Sequence, residues 1–176
     1  ARVMAGTDEG PGVTMSSRLP LTVVVLTFNE ARNLADCLAS VTPWASAVYV
    51  VDSGIRADHG DFGGRVRLGY SAFDDAYGPS DCNGHGTHVA GTVGGTTYGI
   101  AKKVTLVPVR VLDCGGSGSL SGVIAGIDWA IADHAANVPA VANMSLGGGF
   151  SPSLDSAVTN GVADGITFAV AAGNSN

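Results

Sequence analysis

From residue 20 onward, short β-branched apolar runs alternate with stretches of helical periodicity, and this alternation is the strongest constraint on the fold. Residues 20–28 (PLTVVVLTF) are continuously apolar, as expected of a strand buried on both faces. Asn29 is placed to cap a following helix, along which Leu34, Leu38 and Val41 recur at helical spacing before Pro43 ends it. Further strands are predicted over 48–51, 66–73, 104–112, 141–146 and 166–171, and helices over 85–93, 121–135 and 153–163. Strands that alternate with helices imply an α/β fold, a three-layer sandwich with a parallel central sheet. Ligands in such sheets bind beyond the carboxyl ends of the strands, which nominates Asp52, Ser145 and Gly173.

Composition narrows the function classes. The 176 residues are 45% hydrophobic and 14% charged, a globular composition with enough chain for one sizeable core. The formal net charge is −6 and the only adjacent bases are Lys102 and Lys103, so no nucleic-acid partner is expected. No apolar run reaches membrane-spanning length, so no membrane partner is expected either. The apolar run over 21–28 is cut short by Asn29-Glu30 and makes a poor signal peptide. Residues 1–19 have no periodicity and read as a flexible leader. Three cysteines, Cys37, Cys82 and Cys114, leave one over if two are bridged.

Three separated segments carry chemistry together: VYVVDSGIRADHGDFGGRV (48–66), DCNGHGTHVAGTVGG (81–95) and AVAAGNSN (169–176). With TYGIAKKVTLVPVRVLDCGGSGSLSGVIAGIDWA and VANMSLGGG between them, they resemble the subtilisin-like serine proteases, and within these the proteinase K branch, from about residue 48 to 176. The resemblance implies a serine endopeptidase acting on extended polypeptides. A serine hydroxyl is a poor nucleophile until a base takes its proton. His85 resembles that base, Asp52 the carboxylate that orients the imidazole, and Asn174 the side-chain donor of the oxyanion hole. The order Asp, then His, with the serine last, is that of subtilisin. Gly116, Ser117 and Gly118, with Ser145, Leu146 and Gly147, resemble cleft walls that pair with substrate as added strands. The pocket for the residue before the cleaved bond would lie between 171–173 and 147–148, and would suit a medium-to-large apolar side chain. Cys82 and Cys114 match positions bridged in some bacterial members, two free thiols being the alternative. The family is mostly secreted and often binds calcium; no calcium ligands can be matched here, and no cofactor is identified.

Plain structural readings compete at each position. A strand-terminal Asp ordinarily caps a turn, Ser145 before a Gly-rich stretch reads equally as a turn former, and Asn174 sits at a chain end. His88, one turn after His85, is expected to be a packed structural histidine, and His59 and His134 surface residues. The motifs taken together outweigh the plain readings for Asp52 and His85, and less firmly for Asn174.

Two features depart from the protease pattern. No serine stands in the family's Gly-Thr-Ser-Met-Ala motif before the sequence stops at Asn176, so the expectation is a partial domain, incomplete in its fold and triad and inactive by itself, or a remnant that binds peptides without cutting them. Residues 20–45 (PLTVVVLTFNEARNLADCLASVTPWA) resemble the opening strand and helix of a family-2 glycosyltransferase, another family that presents Asp-Ser-Gly at a strand end. The metal-binding Asp-x-Asp of those enzymes is not in the chain. The expected organisation is a leader (1–19), a transferase-like strand and helix (20–47) and a partial peptidase domain (48–176), a composite joined within 44–54.

Overall fold

The computed structural model describes residues 45–172. The expected leader, the strand over 20–28, its following helix and Cys37 lie outside the described residues, as do Gly173 and Asn174. Five strands form one parallel sheet: β1 (Ala47–Asp52), β2 (Tyr70–Ser71), β3 (Thr105–Arg110), β4 (Ala140–Met144) and β5 (Ile166–Val170), in the order β2-β3-β1-β4-β5. Three helices connect them: α1 (His85–Gly94), α2 (Leu120–Asp133) and α3 (Pro152–Asp164).

The period of two along each strand sorts the core into two layers. Tyr49 and Val51 of β1, with Val107 and Val109 of β3, pack on Val123, Ile127 and Ala130 of α2 and on Ala157 of α3. Val48 and Val50, with Leu106, pack on Ala90 and Val93 of α1 and on Ile55 and Phe62. Each such Val, Leu, Ile or Phe side chain contributes about 1.5–3 kcal/mol relative to exposure. The same alternation turns Asp52, last in β1, toward the α1 side.

Local signals set the helix ends. Ser119 Oγ accepts the Gly122 N–H at 3.0 Å and starts α2. Ser151 Oγ accepts the Leu154 N–H at 3.3 Å, Pro152 fills the first turn, and Gly165 at φ 102° closes α3.

The strand expected over 66–73 shrinks to two residues. Val66 bridges Leu106, but Tyr70 faces Val109, so the three residues 67–69 stand opposite two of β3, 107 and 108. Pro108 is the cause: it has no N–H to give at its place in the ladder. The chain bulges past it at Gly69, where a Cβ would collide with the Pro108 carbonyl oxygen.

A polar tie anchors the α2 face. The Tyr49 hydroxyl donates to Asp133 Oδ2 at 2.9 Å, and Arg67 forms a two-pronged pair with the same carboxylate. Burial pushes the Tyr49 phenol far above its ordinary value, and the Asp133 carboxylate pushes it further.

Candidate active site

Asp52 and His85 meet at the carboxyl end of β1, with His85 Nδ1 2.8 Å from Asp52 Oδ1. Asp52 is fully buried, while the His85 side chain is half exposed. Asp52 Oδ1 also accepts the Ser53 N–H at 2.7 Å, and Oδ2 is buried with no partner among the described residues. The Asp52 carbonyl accepts from Val111 N–H at 2.8 Å and Leu112 N–H at 3.2 Å, which ties the end of β1 to the segment leaving β3. A carboxylate facing Nδ1 selects the tautomer with hydrogen on that nitrogen, leaving Nε2, unpartnered among the described residues, as the basic atom.

His85 is the first residue of α1, and the amide donors of that first turn are satisfied by side chains outside the helix. The His85 N–H donates to Asn83 Oδ1 at 3.2 Å, Gly86 N–H to Ser53 Oγ at 2.9 Å, and Thr87 N–H to Asp81 Oδ2 at 2.9 Å. Asp81 Oδ1 accepts from Ser53 Oγ at 3.0 Å, Asn83 N–H at 2.9 Å and Gly84 N–H at 2.8 Å, and Oδ2 accepts the Thr87 hydroxyl at 2.6 Å. Burial pushes the Asp81 carboxyl up, but the bonds from Gly84, Thr87 and Asn83 outweigh it and hold the group below its ordinary value. Gly86 is required by closeness: a Cβ there would collide with the Gly54 carbonyl oxygen. Ser53 and Asp81 were not singled out from sequence. Their signals are local: a hydroxyl beside Asp52, and an acidic residue four before His85 in DCNGH.

A cavity of about 500 Å³ opens between the segments that follow β3 and β4, on either side of β1. Gly116, Ser117, Gly118, Leu146 and Gly147 all line it, with Phe150 at its rim, 89% exposed. Ser145 is not among its walls; its hydroxyl accepts from Asn143 Nδ2 at 2.9 Å. Ser117 N–H donates to Asp113 Oδ1 at 2.9 Å and its carbonyl accepts the Asp113 N–H at 2.8 Å, so its backbone is bonded within the loop.

The remaining histidines divide. His59 is exposed, as expected, and caps the short helical turn Gly60–Phe62. His88 is exposed on α1 and not packed, because its position points away from the sheet. The His134 side chain is 4% exposed and not a surface group. Its Nδ1 meets Asp164 Oδ2 at 2.7 Å and its Nε2 meets the Val138 carbonyl at 2.6 Å, so it joins the ends of α2 and α3. Cys82 and Cys114 form a disulfide linking the turn before His85 to the loop after β3. Among the described residues, no group of three or more His, Cys, Asp or Glu side chains is gathered that could hold a metal ion, and no helix is long and apolar enough to cross a membrane.

Comparison with known proteins gives a consistent result. The subtilase family model matches residues 45–176. An extracellular serine proteinase of Thermus sp. (strain Rt41A) is 62% identical over 128 residues, covering 73% of this chain and 31% of that protein. An alkaline serine exoprotease A of Vibrio alginolyticus is 61% identical over 128 residues, covering 73% of this chain and 24% of that protein. The crystal structure of a cold-adapted subtilisin-like serine proteinase superposes with a TM-score of 0.70 at 55% identity, over 74% of this chain and 47% of that one. The chain thus spans about a quarter to a third of the length of these curated relatives. The family match begins at residue 45, at the end of the transferase-like stretch, and these proteins lend the transferase resemblance no support.

Proposed function

The chain belongs to the subtilase family, and from that premise we propose that Asp52 and His85 are two members of an Asp-His-Ser triad that hydrolyses peptide bonds. The observation that carries the reading is the 2.8 Å contact between His85 Nδ1 and a fully buried Asp52 carboxylate, with the outer edge of the imidazole left to solvent. In this arrangement Nε2 takes the proton of a serine hydroxyl as it attacks the scissile carbonyl, and Asp52 stabilises the imidazolium that forms. Asn174 is the proposed donor to the oxyanion. None of the serines within the 176 residues stands in the Gly-Thr-Ser-Met-Ala setting, so hydrolysis is a property proposed for these residues joined to such a nucleophile.

The substrate proposed is an extended polypeptide entering as a strand between 116–118 and 145–147. Because the Gly116 and Ser117 N–H groups are both bonded to Asp113 within the loop, the peptide would pair with Gly118 on this side of the cleft. Leu112, Leu120 and Leu146 give the cavity an apolar lining suited to an apolar substrate side chain. Secretion is proposed because the Thermus relative is an extracellular proteinase and this chain carries a disulfide.

The test is a chimera in which residues 45–176 replace the matching segment of the Thermus proteinase. It should hydrolyse peptide anilides, and Asp52→Asn in it should lower kcat by about 10⁴-fold. A folded chimera without hydrolysis, or one indifferent to Asp52→Asn, would falsify the reading.

A further inference from the structure

We infer that the Cys82–Cys114 bridge is a directional thiol-exchange site, at which a small external thiol attacks Cys114 Sγ and expels Cys82 Sγ as a thiolate onto the Arg110 guanidinium. Arg110 ends β3 and is fully buried. Its Nη1 and Nη2 donate to Asp75 at 2.7 and 2.9 Å, and Nη1 also reaches the Gly78 carbonyl at 3.0 Å. Phe73 and Tyr77 stand against its Cζ at 4.9 and 5.6 Å, and Nε is buried without a partner among the described residues. The guanidinium therefore keeps its charge in a water-poor site.

The two sulfurs of the bridge stand differently toward that charge. Arg110 Nη2 lies 3.4 Å from Cys82 Sγ and 4.0 Å from Cys114 Sγ. Cys114 is an exposed residue and Cys82 is half-buried. Exchange is faster when the attacked sulfur is accessible and the departing one is stabilised as a thiolate, and here the more exposed residue and the sulfur nearer the guanidinium are opposite ends of one bond. The step balances without an added oxidant. The attacking thiolate forms a new S–S bond to Cys114 as the Cys114–Cys82 bond breaks. The external sulfur is oxidised and Cys82 is reduced, its electron pair resting beside Arg110.

The consequence is local to the candidate site. The adduct sits two residues before Gly116, and the freed Cys82 lies in the turn that leads into His85. In the bridged structure Asn83 Nδ2 donates to the Cys114 carbonyl at 3.0 Å, a bond independent of the sulfurs that would hold the two segments in register for the bridge to close again.

The experiment uses the 176-residue chain with glutathione as the thiol. Free thiol is first blocked with N-ethylmaleimide under native conditions. The chain is then exposed briefly to millimolar reduced glutathione, quenched with iodoacetamide and mapped by peptide mass spectrometry. Glutathione on Cys114 with the iodoacetamide label on Cys82 should exceed the reverse pattern about tenfold. Arg110→Gln should reduce that preference and slow the exchange, while Arg110→Lys should largely restore both. Equal labelling, glutathione mainly on Cys82, or no exchange would overturn the proposal, as would an unchanged preference in folded Arg110→Gln. If both variants misfold, the labelling pattern of the unaltered chain decides.

Discussion

Ser53 Oγ donates a hydrogen bond of 3.0 Å to Asp81 Oδ1, joining the end of the strand that carries Asp52 to the turn that precedes His85. The same hydroxyl accepts the Gly86 N–H, so one atom fixes both the strand end and the first turn of α1. The 2.8 Å Asp52–His85 contact is built on this link as much as on either residue's own rotamer.

Ser53→Ala removes the acceptor of a buried amide and one donor to Asp81. It should destabilise the chain by about 1–3 kcal/mol in urea unfolding. It should also weaken or broaden the low-field Nδ1 proton of His85 in NMR spectra. An unchanged Nδ1 signal would show that Asp52 alone sets the imidazole.

Acid should destabilise the chain through its held-down carboxyls. Asp75 is lowered chiefly by the hydrogen bond from Arg110. Asp81 and Asp133 are lowered against the opposing effect of burial, by Gly84 and Thr87 in one case and by Arg67 and Tyr49 in the other. A carboxyl whose folded value lies below its unfolded value leaves the unfolded chain binding more protons in acid. Its contribution is thus present above the ordinary carboxylate range, about 4, and lost as pH falls through the folded value. Urea unfolding should show near-constant stability from about pH 7 to 5 and a steepening loss below about 4. Asp81→Asn should make that loss shallower.

Gly86→Ala would force a methyl group against the Gly54 carbonyl oxygen, a backbone atom that cannot step aside. The expected cost is about 1–3 kcal/mol, seen as a lower thermal midpoint. Gly91→Ala on the same helix meets nothing within 4 Å and serves as the control, expected to be neutral or stabilising.

Replacing Cys82 and Cys114 together by serine opens a loop with a sequence separation of 32. The chain-entropy account predicts a loss of about 3–4 kcal/mol, measured as the drop in unfolding free energy against the oxidised chain.

Much of this site could be read from residue order because it depends on short-range patterns. The apolar run 48–51 fixed β1, and its period of two placed Asp52 on the face that α1 covers. HGTHVAGTVG announced a helix of small residues, and small residues let α1 sit close to the strands. Long-range features were hidden. The shortened β2 follows from Pro108 on the neighbouring strand; within 66–73 only Gly69 hints at a bulge, and it does not show what the chain must pass. The His134 side chain is covered by long-range and local partners together: α3 brings Asp164 beside it, 30 residues later in sequence, and the Val138 carbonyl meets its other nitrogen. Ser53 and Asp81 are polar loop residues like many others until folding places them 3.0 Å apart.

The bulge at Gly69 has a further consequence, for association between molecules. β2 closes one side of the described sheet, where a long regular strand would offer a row of free amide and carbonyl groups to any neighbouring chain. With Pro108 missing a donor and Gly69 pushing the backbone out of line, that side presents only Tyr70–Ser71 in regular pairing geometry. A proline inside the sheet thus shortens the regular strand beside it, leaving that border of the described sheet little template for edge-to-edge pairing.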